Sequence, residues 1–115
     1  NSAIEIATGD FIAFADHDDE LTPNALFECV KAINEKPQTL VIYTDEDKMS
    51  MDGHKFFQPH FKPDYNPDLL CTVNYICHLF VAKKLLLLLL LKAKEVCQDQ
   101  NRRSLQTKVC SAVLL

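Results

Sequence analysis

Residues 9–20 read GDFIAFADHDDE, and this stretch decides how the rest of the chain is interpreted. An apolar run over residues 11–15 ends in four acids at the next five positions, namely Asp16, Asp18, Asp19 and Glu20. A buried strand that reaches the edge of its sheet has this pattern, and in open α/β sheets ligands bind at the carboxyl ends of strands. Carboxylates placed there suit Mg²⁺ or Mn²⁺, although a solvated turn before a helix has the same composition.

A second apolar run, residues 40–43, also ends in acids, here Asp45, Glu46 and Asp47. The segment between the runs has apolar residues at helical spacing, and Thr22 followed by Pro23 predicts its N-cap and first turn. The sequence therefore predicts a β-α-β unit. If its strands are parallel, a right-handed crossover places both acidic clusters at one sheet edge. Taken alone, the second cluster is also typical of a solvated loop.

The segment beyond the β-α-β unit combines a turn, a proline-rich stretch and one more strand. Asp52-Gly53 is a turn signal and predicts a loose hairpin or an excursion from the sheet, whereas the prolines of residues 58–68 predict an ordered but irregular connection. Residues 68–72 can open a short helix, and residues 78–82 read as a core strand. His60 is a candidate ligand or substrate contact, or simply hydrogen-bonded, and His78 reads as a structural histidine rather than a catalytic one.

Size and composition narrow the function classes. The chain has 115 residues, enough for one domain, and its formal charge of −4 argues against a nucleic-acid partner, because such binding needs clustered Lys and Arg. The five scattered cysteines fit a reducing compartment. The first residues lack initiator Met and the features of a signal peptide, so we expect a piece of a longer protein.

The composition of the sequence changes at seven consecutive leucines, residues 85–91. A transmembrane helix needs about 20 apolar residues, so this run does not predict a membrane span. A helix that is apolar on every side needs burial or a partner, which makes self-association through the leucines a possibility to test. Residues 92–115 read as a helix of low specificity. We therefore predict two regions, residues 1–84 and residues 85–115, the second a fused tail or the product of a frame disruption.

Three motifs together resemble family 2 glycosyltransferases. They are residues 1–21, residues 43–48 (YTDEDK) and residues 60–70 (HFKPDYNPDLL), the last followed by residues 74–76 (NYI). They occur in the expected order over about residues 1–84. The resemblance implies an α/β fold, a partial Rossmann-like three-layer sandwich of the glycosyltransferase A type. It also implies metal-dependent transfer of a sugar, usually of the inverting hexosyltransferase kind, from a nucleotide-diphosphate sugar to a glycan or lipid-linked acceptor in polysaccharide biosynthesis.

The resemblance also implies roles for individual residues. Asp16 and Asp18 match the Asp-X-Asp motif, in which Asp18 would bind the Mn²⁺ or Mg²⁺ that bridges the donor's pyrophosphate. Asp16 would contact the ribose or share the metal, and Asp19 and Glu20 are weaker candidates. The second acidic cluster, Asp45, Glu46 and Asp47, would line the sugar or acceptor side. The implied location is the cytoplasm or the inner face of the membrane.

Two departures from the family pattern bear on activity. The nucleotide-binding half that opens such chains is missing apart from its last helix turn. The acidic motif that supplies the general base is also missing, because Glu95 and Asp99 are the only acids after residue 84. We therefore expect a catalytically incomplete fragment with no assignable base. The alternative is a non-catalytic interaction module that associates through residues 85–91.

Overall fold

The computed structural model describes residues 2–101, with side chains described through residue 94. Within these residues, four helices and five strands form a mixed α/β arrangement, which is consistent with a partial domain of the glycosyltransferase A type and confirms the predicted fold class. In chain order the elements are α1 (Ser2–Ile6), β1 (Phe11–Phe14), α2 (Ala25–Glu35), β2 (Val41–Tyr43), β3 (Glu46–Met49), β4 (Phe56–His60), α3 (Pro67–Thr72), β5 (Phe80–Lys83) and α4 (Lys84–Asn101).

The main sheet has three strands in the order β1-β5-β2, and β5 is antiparallel to both neighbours. Ala82 lies opposite Ile12 on one side and Val41 on the other. Because β1 and β2 oppose the same strand, they run in the same direction, and their acidic continuations follow at one edge. That shared edge is the one predicted for parallel strands, but β5 lies between the two strands, and the start of β5 reaches the same edge.

Helix α2 begins later than the sequence predicts. The prediction of Thr22 as N-cap is wrong: the cap position is Asn24, whose side chain makes no capping hydrogen bond. Thr22 instead accepts the amide of Ala25 through its carbonyl at 3.0 Å, so a backbone turn leads into the helix. On the inner face of α2, Cys29 is buried with Leu79 and Val81 of the sheet region. Burial raises the pKa of the Cys29 thiol.

The predicted hairpin is present as β3 and β4, joined by the turn at Gly53, where φ is +74°. The expectation of irregular structure is wrong for residues 58–60, which belong to β4. Glu46 lies opposite His60 and Lys48 lies opposite Phe57, so β4 contains one extra residue at a bulge. Gln58 has φ +52° at that point. A bulge accommodates Pro59, which has no amide for the ladder.

Two helices complete the described chain. In α3, the N-cap Asn66 accepts the amide of Leu69 at 3.0 Å, in agreement with the short helix predicted there. The leucine run forms the first turns of α4, which packs on α1 and β5. Leu85 and Leu89 remain 61% and 56% exposed. Within residues 2–101 no helix has both the length and the apolarity to cross a bilayer. Residues 102–115 of the predicted tail lie outside the described residues.

Candidate functional site

The acidic segment after β1 folds into a tight turn. The amide of Asp19 donates to the carbonyl of Asp16 at 3.2 Å. In return, the amide of Asp16 donates to the Oδ2 atom of Asp19 at 3.3 Å. Aspartate side chains commonly bond backbone groups in this way in turns. The two carboxylates are therefore held near one another at the end of β1.

His78 joins this turn from the start of β5. Its Nδ1 atom lies 2.8 Å from Oδ2 of Asp19 and 3.8 Å from Oδ2 of Asp16. An ionised carboxylate can only accept, so Nδ1 carries the proton and Nε2 is left as an acceptor in the neutral ring. Sequence reasoning missed this role, since it treated His78 as structural. No local signal in the sequence identifies this role, because it depends on the position of β5 between β1 and β2.

The other acids of the first cluster are more exposed. The side chain of Asp18 is 76% exposed, and its Oδ1 atom lies 3.7 Å from Nδ1 of the neighbouring His17. Glu20 is also exposed. The structure thus brings Asp16 and Asp19 together with His78, and it leaves Asp18 one residue away on the outer side of the same turn.

The site formed by Asp16, Asp19 and His78 has the donor chemistry of a cation site. Each residue offers one ligand atom, and these atoms lie within 4.8 Å of one another. Carboxylate oxygens suit hard divalent cations, and imidazole suits borderline transition metals. The donor set therefore fits a divalent cation.

In the second acidic cluster, Glu46 forms ion pairs with His60 and Lys62, and these three residues are called the hairpin group. Nδ1 of His60 lies 2.9 Å from Oε1 of Glu46, and Nζ of Lys62 lies 3.5 Å from Oε2 of the same residue. Desolvation acts to raise the pKa of Glu46, but the hydrogen bond from His60 and the charge of Lys62 outweigh it and hold that pKa below its usual value. Glu46 is therefore anionic at neutral pH, and His60 is hydrogen-bonded to it.

The flanking acids of this cluster differ in their surroundings. Oδ1 of Asp45 accepts the backbone amide of Lys62 at 2.8 Å, which ties the end of β2 to the segment after β4. Asp47 is exposed on β3. Asp45 and Glu46 thus both contact Lys62. Among the described residues, no such contact is found for Asp47.

Lys62 connects the hairpin group with the turn that carries His78. Its ammonium donates to the carbonyls of Cys77 and His78, the latter at 2.8 Å, while it also faces Glu46. The hairpin group and the turn that carries His78 are therefore in direct contact at the shared edge. Sequence reasoning gave Lys62 no role of its own, because its burial and its partners come from segments distant in sequence.

The carboxylates at the ends of β1 and β2 lie within the segment whose motifs resemble family 2 glycosyltransferases. The sequence profile of glycosyl transferase family 2 matches residues 1–87. The chain belongs to this family.

Two relatives show where this segment occurs. An uncharacterized protein, y4gI of Sinorhizobium fredii (strain NBRC 101917 / NGR234), is 54% identical over 81 residues, which cover 70% of this chain and 9% of the relative. The O-antigen biosynthesis protein RfbC of Myxococcus xanthus is 39% identical over 84 residues, or 73% of this chain and 6% of the relative. The chain thus spans less than a tenth of either relative. No solved structure matches it significantly.

Proposed function

We propose that this chain carries the donor and cation side of a metal-dependent glycosyltransferase. The parent activity would move a sugar from a nucleotide-diphosphate sugar to a glycan or lipid-linked acceptor. The observation that carries the proposal is the convergence of Asp16, Asp19 and His78 at the end of β1, inside the segment that matches the family. The named role of RfbC in O-antigen biosynthesis supports a polysaccharide as the product class.

The acidic turn would bind the donor through its cation. A bound Mn²⁺ or Mg²⁺ would stabilise the negative charge that develops on the departing nucleoside diphosphate. Asp16 and Asp18 are the proposed ligands, since Asp18 is exposed toward solvent and matches the second acid of the Asp-X-Asp motif. Asp19 would orient the ring of His78 through Nδ1, and Nε2 is then the ring atom with a lone pair that a cation could use. The imidazole favours Mn²⁺ over Mg²⁺.

The hairpin group would form the sugar or acceptor side. Glu46 is anionic and partly exposed, so it can accept hydrogen bonds from sugar hydroxyls while it remains paired with His60. Asp45 and Asp47 flank it. No residue is assigned as the general base, and we propose that this chain binds a donor without completing the transfer by itself. The free thiols Cys29, Cys71 and Cys77 support a cytoplasmic location, at or near the inner face of the membrane.

Binding of inorganic pyrophosphate tests the proposal without a choice of nucleotide base. By titration calorimetry we expect the chain to bind pyrophosphate at least about tenfold more tightly with Mn²⁺ than without it, a difference of about 1.4 kcal/mol. Asp18→Ala should remove most of that gain. Glu35→Gln, a change of one exposed acid at the end of α2, is the matched control and should retain it. Equal affinity with and without Mn²⁺ would contradict the proposal.

The second candidate function is association through α4. The observation that favours it is the pair Leu85 and Leu89, exposed one helical turn apart. Light scattering over a range of concentrations should then show oligomers that Leu85→Lys with Leu89→Lys removes. The matched control is Leu21→Lys, which charges a partly exposed leucine outside α4. A wild-type monomer at every concentration would exclude this candidate.

A further inference from the structure

Lys62 has an almost fully buried ammonium group, with 1% of its side chain exposed. A buried charge is costly unless it is paired and hydrogen-bonded. The ammonium donates hydrogen bonds to the carbonyls of Cys77 and His78, and it forms an ion pair with the carboxylate of Glu46 at 3.5 Å. Lys62 thus joins the hairpin to the His78 turn.

The backbone that presents this ammonium is itself fixed. The amide of Lys62 donates to Asp45 at 2.8 Å, and the hydroxyl of Tyr43 donates to the carbonyl of Pro63 at 2.8 Å. Both partners lie at the end of β2. The backbone position of Lys62 is therefore fixed relative to the main sheet. Its ammonium can in turn fix the carbonyls of the His78 turn that it contacts.

The turn that Lys62 contacts has an unfavourable backbone conformation at His78. His78 has φ +55°, in the left-handed region that non-glycine residues seldom adopt. On its C-terminal side, the amide of Leu79 donates to Oγ1 of Thr44 at 3.0 Å. The carbonyls of Cys77 and His78 are held by Lys62. Without the ammonium these two carbonyls would lose that partner, and the turn would be free to rearrange.

We propose that Lys62 is a positioning residue, whose buried ammonium fixes the His78 turn so that the imidazole meets Asp19 in the Nδ1–H tautomer beside the proposed cation site. This inference deepens the function proposed above and rests on it. Lys62 acts through His78 and does not itself touch the cation. Neutral histidine in water favours the opposite tautomer, with the proton on Nε2, so the tautomer of His78 reports whether its ring is held.

The test is NMR of the full chain labelled with ¹⁵N-histidine, recorded at about pH 8.5, two units above the ordinary histidine pKa of about 6.5. His78→Gln assigns the His78 ring signals. We expect the wild type to show the Nδ1–H tautomer and Lys62→Met to shift toward Nε2–H. The matched control is Lys48→Met, because Lys48 lies on the same hairpin and its ammonium donates a hydrogen bond to the exposed Gln58 at 2.8 Å. This variant should leave the tautomer unchanged.

A second measurement separates this inference from the proposed function. Mn²⁺ affinity by calorimetry should fall about tenfold in Lys62→Met, the size of effect seen when the orientation of a metal-binding histidine is lost, and stay constant in Lys48→Met. If Lys62→Met lacks the dispersed amide spectrum of the folded chain, Lys62→Arg takes its place in the tautomer measurement. Arginine keeps the charge but changes the donor geometry, so Lys62→Arg should shift the tautomer in the same direction.

The outcomes divide cleanly. A shifted tautomer with weakened Mn²⁺ binding supports both proposals. A shifted tautomer in a chain whose wild type binds no Mn²⁺ supports the positioning of His78 by Lys62 and overturns the proposed function. An unchanged His78 tautomer in a folded Lys62 variant overturns the positioning role, whatever the wild type binds.

Discussion

The shared sheet edge and the helical surfaces differ in how fully their side chains are satisfied. At the edge, Asp19 pairs with His78 and Glu46 pairs with Lys62, and no buried side-chain N or O atom of the described residues lacks a partner. On α4 and α2, in contrast, Leu89 and Phe27 are largely exposed. A groove of about 340 Å³ along α2, lined by Phe27 and Val30, lies away from the acidic edge.

This difference shows which part of the molecule is specified by its own contacts. Paired charges and backbone bonds define one arrangement of the edge, because each change leaves a polar group without its partner. The helical surfaces tolerate change, because an exposed leucine loses little when it is replaced. The predictions below test this contrast between the edge with its central strand and the helical surfaces.

The largest effect is expected at the centre of the main sheet. Ala82 is 0% exposed between Ile12 and Val41, so Ala82→Asp would bury an unpaired carboxylate. We expect a loss of about 4 kcal/mol or more in the free energy of unfolding, comparable with the whole stability of a marginal domain. Urea denaturation followed by circular dichroism should show the cooperative transition weakened or lost.

Leu89→Asp is the matched control for this prediction. It introduces the same side chain on α4 at a position that is 56% exposed. Its effect on the free energy of unfolding should stay within about 0.5 kcal/mol. Similar losses in the two variants would show that the sheet and the helical surface do not differ as described.

A smaller effect is expected at the hairpin group. Glu46→Gln leaves the buried ammonium of Lys62 without its charge partner. Breaking a fully buried pair costs about 3–5 kcal/mol, and Glu46 is about a third exposed, so we expect about 2 kcal/mol in the same denaturation assay. Asp47→Asn, on the exposed side of β3, should change the free energy of unfolding little.

The pH dependence of stability checks the same group. Because folding lowers the pKa of Glu46 below its ordinary value of 4.5, its contribution is present above pH 4.5 and is lost as the pH falls through the lower folded-state value. Between about pH 5 and pH 3, the wild type should therefore lose more stability than Glu46→Gln. Parallel pH profiles for the two proteins would contradict the assigned cause of the shift.

Local pattern was sufficient to predict most elements of the fold. The apolar runs predicted β1 and β2, helical spacing predicted α2, and Asp52-Gly53 predicted the hairpin. The order of the strands could not be predicted from local pattern, because the insertion of β5 between β1 and β2 depends on pairing across some 40 to 70 residues. The Thr22 cap failed because a backbone turn competes with the hydroxyl for the same role.

The candidate site was predictable in part for the same reason. Acids that follow strands mark an edge, so Asp16, Asp18 and Glu46 could be singled out from sequence. His78 and Lys62 could not, because their roles come from burial and from partners distant in sequence. The motif names Asp18, while the described geometry gathers Asp16 and Asp19 around His78. The pyrophosphate titration with Asp18→Ala addresses which of these acids the cation needs.

The central position of β5 also determines the order in which the site can be assembled during synthesis. Phe11 pairs with Lys83, so the first strand waits for more than 70 further residues before its partner exists. Closure of so long a loop is entropically unfavourable and slow compared with formation of the β3–β4 hairpin. The acidic turn is therefore synthesised well before its partner His78. Its contact with His78 forms only after residues 74–78 have been translated and β5 has entered the sheet.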